Sequence, residues 1–222
     1  MIAITIDPDI ADKLPNLILG GILVCVTIEP SGENLTNLID DQLKLLQPSL
    51  DPESIRNMPA VKANKDAYRK LGKDPNRYRP ASEALLRRVA SGKGLYAINN
   101  VVDILNLISI KSGYSICGYD FDAIVGNIRM GIGQAGEPYE GIGRGELNIE
   151  SLPVFRDDQG AFGTPTSDSV RTQVGLQTKQ FLMIIIGFES PESINQSLDE
   201  AQDLLTRYAK GELMDRFIID KK

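Results

Sequence analysis

The segment that most restricts the fold runs from Asn99 to Gly113, because it reads as a helix that is apolar nearly all round. Asn99 caps its start and Gly113 supplies a left-handed stop. From Val101 to Ile110 only Asp103, Asn106 and Ser109 interrupt a surface of Val, Ile and Leu. These three fall at i, i+3 and i+6, so they form one narrow polar stripe on a helix that must otherwise be covered. Other elements therefore have to wrap around it, and the stripe has to meet polar partners.

The flanking pattern supplies those elements. Residues 2–6 alternate weakly, and Gly20 to Ile28 is a continuous apolar run; both read as strands, the second buried on both faces. Glu33 to Gln47 places Leu35, Leu38, Ile39, Leu43 and Leu46 at helical spacing, and Pro48 stops it. Asp51-Pro52-Glu53 opens a helical region predicted to continue to Leu71 and end at Gly72. Pro80-Ala81-Ser82-Glu83 opens another, with Gly92 at its left-handed end. From Ser115 to Gly187 the chain changes to short β-like runs (Ser115 to Tyr119, Gly126 to Met130, Pro153 to Arg156, Phe181 to Gly187) separated by glycine-rich turns. A closing helix starts at Ser190-Pro191-Glu192 and presents Ile194, Leu198, Ala201, Leu205 and Tyr208 to the sheet. Helices in the middle with strands on either side predict an α+β fold, a single domain over residues 1–222, with a mixed or antiparallel sheet packed with helices. The 222 residues suit one such unit.

Several chemistries drop out. The chain contains no histidine, which removes Ser-His and Cys-His nucleophile activation, His-ligated zinc and a His general base. Two cysteines, Cys25 and Cys117, cannot complete a four-ligand zinc site, and no disulfide, metal or cofactor is expected. The start lacks the basic region of a secretory signal, and the longest apolar run, Leu17 to Ile28, is too short to span a bilayer, so a cytoplasmic protein with no membrane partner is expected. Gly131-Ile-Gly133-Gln-Ala-Gly136 has the spacing of a dinucleotide fingerprint, but Pro138 and further glycines follow where a helix must begin. Hairpin turns are the expected use.

Charge is uneven. Between Arg56 and Lys93 eleven cations face three acids, a net +8, so in a chain of net charge −6 the remainder carries −14. Arg69, Lys73, Arg77, Arg79, Arg87 and Arg88 are the nucleic-acid-binding candidates, with Tyr68 and Tyr78 available for stacking, and RNA rather than DNA is the expected partner. The plainer reading of the same residues is solvated helix faces. Cys117 lies in a strand-like run without a base to activate it, and reads as a small buried residue.

Beyond these patterns, Lys73-Asp-Pro-Asn-Arg-Tyr-Arg-Pro-Ala-Ser-Glu-Ala-Leu-Leu-Arg-Arg88, Val102-Asp-Ile-Leu-Asn-Leu-Ile-Ser109 and Gly118-Tyr-Asp120 carry a family resemblance. It continues through Arg129, Gly136-Glu137, Gly160, Gly163, Pro165, Asp168-Ser169 and Arg171-Thr172 to Thr178. The chain resembles the free-standing relatives of the editing domain, of B3/B4 type, in the β subunit of bacterial phenylalanyl-tRNA synthetase, with residues 62–188 as the core of the likeness. The resemblance implies an α+β unit whose pocket admits tyrosine mischarged onto phenylalanine tRNA and hydrolyses the ester. Where the synthetase domain commonly has a histidine this chain has Cys117, and where a glutamate is frequent it has Val170. The resemblance places Thr172 and Glu137 as catalytic candidates and Cys117, Tyr119, Asp120 and Asn106 as substrate-binding candidates. The implied activity is trans-editing of an aminoacyl-tRNA by a positioned water, which needs no nucleophilic side chain. The alternatives are a non-catalytic site for a free amino acid and a plain RNA-binding module. A chain of this length is not expected to charge tRNA itself.

Overall fold

A computed structural model describes residues 3–188 and 190–220. In chain order the elements are β1 (Ile4–Ile6), α1 (Pro8–Lys13), β2 (Ile18–Cys25), α2 (Glu33–Leu46), α3 (Pro52–Asn57), α4 (Pro59–Leu71), α5 (Ala81–Ala90), α6 (Asn100–Ser112), β3 (Ser115–Asp120), β4 (Ile128–Ile132), β5 (Glu140–Gly141), β6 (Gly145–Glu146), β7 (Pro153–Asp157), β8 (Gly160–Gly163), β9 (Gln180–Gly187), α7 (Pro191–Ala209) and β10 (Glu212–Ile219). An antiparallel sheet has the order β10-β2-β9-β3. A mixed sheet has the order β1-β4-β7-β8, with β1 parallel to β4.

The period of two along the apolar strands decides how these sheets stack. Phe181, Met183 and Ile185 of β9 join the core under the helices, whereas Leu182, Ile184 and Ile186 join the core between the sheets. β2 divides in the same way, with Ile22 and Val24 toward the helices and Leu19 and Leu23 toward the second sheet. The continuous apolar run thus marks a strand covered on both faces, in a helix–sheet–sheet stack.

α6 is the helix the sequence marks as enclosed. The Asn99 carboxamide accepts from the Val102 N–H, and Gly113 ends the helix at φ 79°. Two members of its polar stripe have internal partners. Asp103 accepts from Ser31 Oγ (2.6 Å) and Ile98 N (2.9 Å), and Ser109 donates to Tyr114 O (2.8 Å). Asn106 is the exception and faces a cavity.

The predicted α+β architecture is the observed one, with four differences in its parts. The helical region after Asp51 is broken between α3 and α4, because Pro59 lacks an N–H and holds Met58 in an extended conformation (φ −56°, ψ 127°). The chain does not close on α7: β10 follows and pairs with β2 along the edge of the first sheet. α1, β5, β6 and β8 have no counterpart in the sequence reading, all being too short for periodicity to show. The first strand begins at Ile4, and Ile2 of the predicted strand lies outside the described residues. Cys25 and Cys117 are both free thiols, and no described helix is long and apolar enough to cross a membrane.

Candidate functional site

α5 sorts its side chains by face. Ser82, Glu83, Leu86 and Val89 are buried, while Ala81, Ala84, Leu85 and Arg88 (i, i+3, i+4, i+7) line a cavity of about 380 Å³. The small side chains at 81 and 84 leave the room that Arg88 overlooks. The rest of the lining includes Asn106 of α6, the Thr166–Ser167 turn, Arg144 from the β5–β6 turn, and Lys93 and Tyr96 from the segment after α5. Thr164 shapes that turn: its hydroxyl accepts from Thr166 N and Ser167 N, both at 3.1 Å.

Three cations therefore share the cavity, with no Asp or Glu lining it. None of the three makes an ion pair among the described residues. The Arg88 guanidinium lies 3.9 Å from the centroid of the Tyr96 ring, which is 53% exposed, and its Nε is buried without a hydrogen-bond partner.

The other basic candidates are differently placed. Arg87 Nε donates to Glu83 Oε1 (2.9 Å), Lys65 Nζ lies 3.1 Å from Glu83 Oε2, and Arg79 Nε is 3.8 Å from Oε1. Burial pushes the Glu83 carboxyl up, but Arg87 and Lys65 outweigh it and hold the group below the usual carboxylate range. Lys73 turns inward, donating to Asn148 O (3.0 Å) and Glu150 O (2.6 Å) while its ammonium sits 3.7 Å from the Tyr78 ring centroid. Arg69 pairs with Asp66 at the surface, and Arg77 is exposed. The +8 block is thus divided between internal ion pairing, solvent and one cavity.

The catalytic candidates from the sequence are dispersed. Thr172 is fully buried, its hydroxyl donating to Phe162 O at 3.4 Å. Glu137 lines a second cavity of about 660 Å³ together with Glu140, Glu146, Val170 and Arg171. Its carboxylate is held from both oxygens by Arg156 (2.6 Å each) and also accepts from Gln134 N. Burial opposes the charge of Glu137, yet Arg156 and the Gln134 amide keep its carboxyl below the usual range.

Among the substrate-binding candidates, Asn106 opens on the basic cavity, and Asp120 accepts from Thr178 Oγ1 (2.9 Å). Cys117 and Tyr119 belong to the core between the sheets and line neither cavity. Gly163 has no room for a Cβ, which would collide with the Tyr119 hydroxyl. Burial, and next the Asp168 charge, push the Cys117 thiol up, so it is not poised as a thiolate. Asp168 lies beside this pair. One carboxylate oxygen accepts from Gly118 N at 3.1 Å, while Oδ1 and the Tyr119 hydroxyl are buried without partners. Burial raises the Asp168 carboxyl to about 7 against the opposing pull of the Gly118 amide.

Sequence reasoning misses Tyr96, Arg144, Thr166 and Ser167, and counts Lys93 only as part of the basic block. The i, i+4, i+7 face of α5 was a readable signal for a site at Arg88. Nothing local joins Arg144 to it. Among the described residues no group of three or more Cys, Asp or Glu side chains comes together to hold a metal ion. Guanidinium, ammonium and amide groups such as those lining the basic cavity have the chemistry to pair with oxyanions and to orient neutral polar atoms.

Comparison with curated proteins finds no match. Among solved structures, the chain is similar to an N-terminal fragment of the phenylalanyl-tRNA synthetase beta-subunit from Pyrococcus horikoshii, at 13% identity and a TM-score of 0.49. That alignment covers 99% of this chain and 55% of the other, so the chain spans about half the length of the fragment. A family model described as B3/4 domain matches residues 63–217, and with most of its length matched the chain belongs to the B3/4 domain family.

Proposed function

We propose that the chain binds the aminoacyl end of a charged tRNA and hydrolyses the ester in trans. The observation that carries this reading is the cavity between α5, α6 and the β5–β6 turn, where Asn106 and Ser167 offer neutral polar groups beside cations on a B3/4 chain. Exposed Arg69 and Arg77 outside it are available to the RNA backbone. An aminoacyl ester is already activated, so a site that fixes its carbonyl and one water accelerates attack without a nucleophilic side chain. Asn106 is the side chain assigned to the ester or the water, since its amide carries both donor and acceptor and has no partner of its own among the described residues.

A second reading, binding without turnover, is favoured by the state of the catalytic candidates. Thr172 and Cys117 are buried, and the Glu137 carboxylate is held by Arg156. The deciding experiment is release of labelled amino acid from phenylalanine tRNA charged with tyrosine and from a panel of other charged tRNAs, with Asn106→Leu as the control. Release confined to one species and lost in the variant is the expected result. A preparation that binds charged tRNA but releases nothing above the uncatalysed rate leaves the binding reading in place.

A further inference from the structure

The cavity at Arg88 contains more positive charge than an aminoacyl ester needs. Asn106 and Ser167 suffice to orient an ester, yet Arg88, Lys93 and Arg144 converge on the same space from three separate segments. Like charges repel, so a cavity that assembles three of them without an acid has its charge balanced from outside. Neighbouring Arg87 shows that this is not a general property of α5, since its guanidinium is matched by Glu83.

Arg88 is also prepared for a ligand. The Tyr96 ring fixes one face of its guanidinium, and its Nε is a buried donor without an acceptor. A fixed planar fork with free N–H groups matches a carboxylate or phosphate, which accepts two parallel hydrogen bonds. Arg144 and Lys93 are exposed and long, and add their charge to the same cavity. The volume, about 380 Å³, lies toward the small end of the roughly 300–1,000 Å³ typical of ligand pockets.

We infer that this cavity is an oxyanion site, so that the group it accepts is a carboxylate or phosphate rather than a neutral aromatic side chain. The inference rests on the reading above for the cavity's place in function, and adds the charge of the ligand. Two sources can present that chemistry: a small acidic group, free or as the acyl part of the ester, and the terminal phosphodiester of the RNA. In either case the oxyanion accepts from Arg88 and Arg144, and the body of the ligand lies toward Asn106.

The test is calorimetric titration of the whole chain at low salt with inorganic phosphate and with glutarate, using glutaramide as the uncharged counterpart of the latter. Binding of the two anions, at least tenfold weaker for glutaramide and at least tenfold weaker in both Arg88→Gln and Arg144→Gln, is the expected result. Lys179→Gln, an exposed cation outside the cavity and outside the basic block, should bind like the wild type. Because Arg144 is exposed in a turn, its replacement tests the site even if Arg88→Gln folds poorly. Equal binding of glutarate and glutaramide, or unchanged affinity in Arg144→Gln, overturns the inference.

A third arm adds an RNA hairpin with a single-stranded 3′ end that carries no aminoacyl group to the glutarate complex. Displacement of glutarate assigns the oxyanion to the RNA phosphodiester. Binding of both together assigns it to the small acidic group. If glutarate binds and no charged tRNA does, the tRNA reading fails and the oxyanion site stands; if tRNA binds and no anion does, the reverse holds.

Discussion

Arg87 and Arg88 are adjacent in the chain and opposite in circumstance. The helix turns about 100° between them, which aims Arg87 at Glu83 and Arg88 at the cavity under Tyr96. Around Glu83, Lys65, Arg79 and Arg87 share one buried carboxylate, the Lys65 side chain being only 6% exposed. Around Arg88, Lys93 and Arg144 share none. Both clusters contain three cations, so a count of positive residues does not separate charge that holds the fold from charge that is available to a ligand. The separation is made by the acid.

The comparison breaks most directly at Glu83. Removing a buried acid from beneath a buried lysine leaves an uncompensated charge, so Glu83→Ala should lower stability by about 3–5 kcal/mol in urea titration at pH 7. The double replacement Lys65→Met, Glu83→Leu should recover most of that, because a packed apolar pair can replace a buried ion pair. A loss below about 1 kcal/mol in the single variant would mean that water reaches this cluster as freely as the cavity. The pH dependence has a fixed sign. With its folded pKa depressed, Glu83 contributes fully above the ordinary glutamate value of about 4.3 and loses its contribution as pH falls through the lower folded value.

Asp168 sharpens the same contrast from the other side. Glu83 is buried with cations and held low, whereas Asp168 is buried beside Tyr119 and Cys117 and rises to about 7. A carboxyl with a raised folded pKa favours folding when protonated. Its contribution is complete below the ordinary aspartate value of about 4 and is lost as pH climbs through 7. Asparagine at this position still accepts from Gly118 N and never ionises. Asp168→Asn should therefore be more stable than the wild type by roughly 1–3 kcal/mol at pH 8 and equal to it near pH 4. A difference that does not change with pH would show that Asp168 stays ionised, and would remove the distinction between the two buried acids.

Much of the frame was readable because it is written locally. The Asn99 cap, the Gly113 stop and the helix start at Asp51 each concern a few adjacent residues, and each forms as expected, Asp51 adding a capping box with Ser54. β10 was hidden because its sequence, Glu-Leu-Met-Asp-Arg-Phe-Ile-Ile, gives no clean alternation on an edge strand that is bulged between Leu213 and Asp215. Within the site the difficulty was direction. Alternation in β3 puts Cys117 and Tyr119 together on the face between the sheets, so a strand assignment already opposed their lining a surface pocket with Asn106. Lys73 reads as a solvent-facing cation, yet two carbonyls 75 and 77 residues further along the chain hold it inside. Arg144 shares a cavity with Arg88 only because the tertiary fold brings the β5–β6 turn to it, a long-range fact with no local signature.

The smallest expected effect is the one that makes the two clusters different in kind. Arg88→Gln removes a partly exposed cation–π contact worth about 0.5–1 kcal/mol. It also relieves repulsion from Lys93 and Arg144, which, at the separations on the order of 10 Å that a cavity of this size imposes, is about 0.4–2 kcal/mol per pair before salt screening. The two terms oppose each other, so the net change in unfolding free energy at low salt should lie within about 1 kcal/mol of zero. The repulsive part weakens as ionic strength rises, whereas the contact with Tyr96 depends on it less. The variant should therefore lose stability relative to the wild type between low and high sodium chloride, measured by urea titration at each salt concentration. A loss as large as that of Glu83→Ala, and independent of salt, would mean that Arg88 has an internal acid after all, and the two arginines would then differ only in which carboxylate holds them.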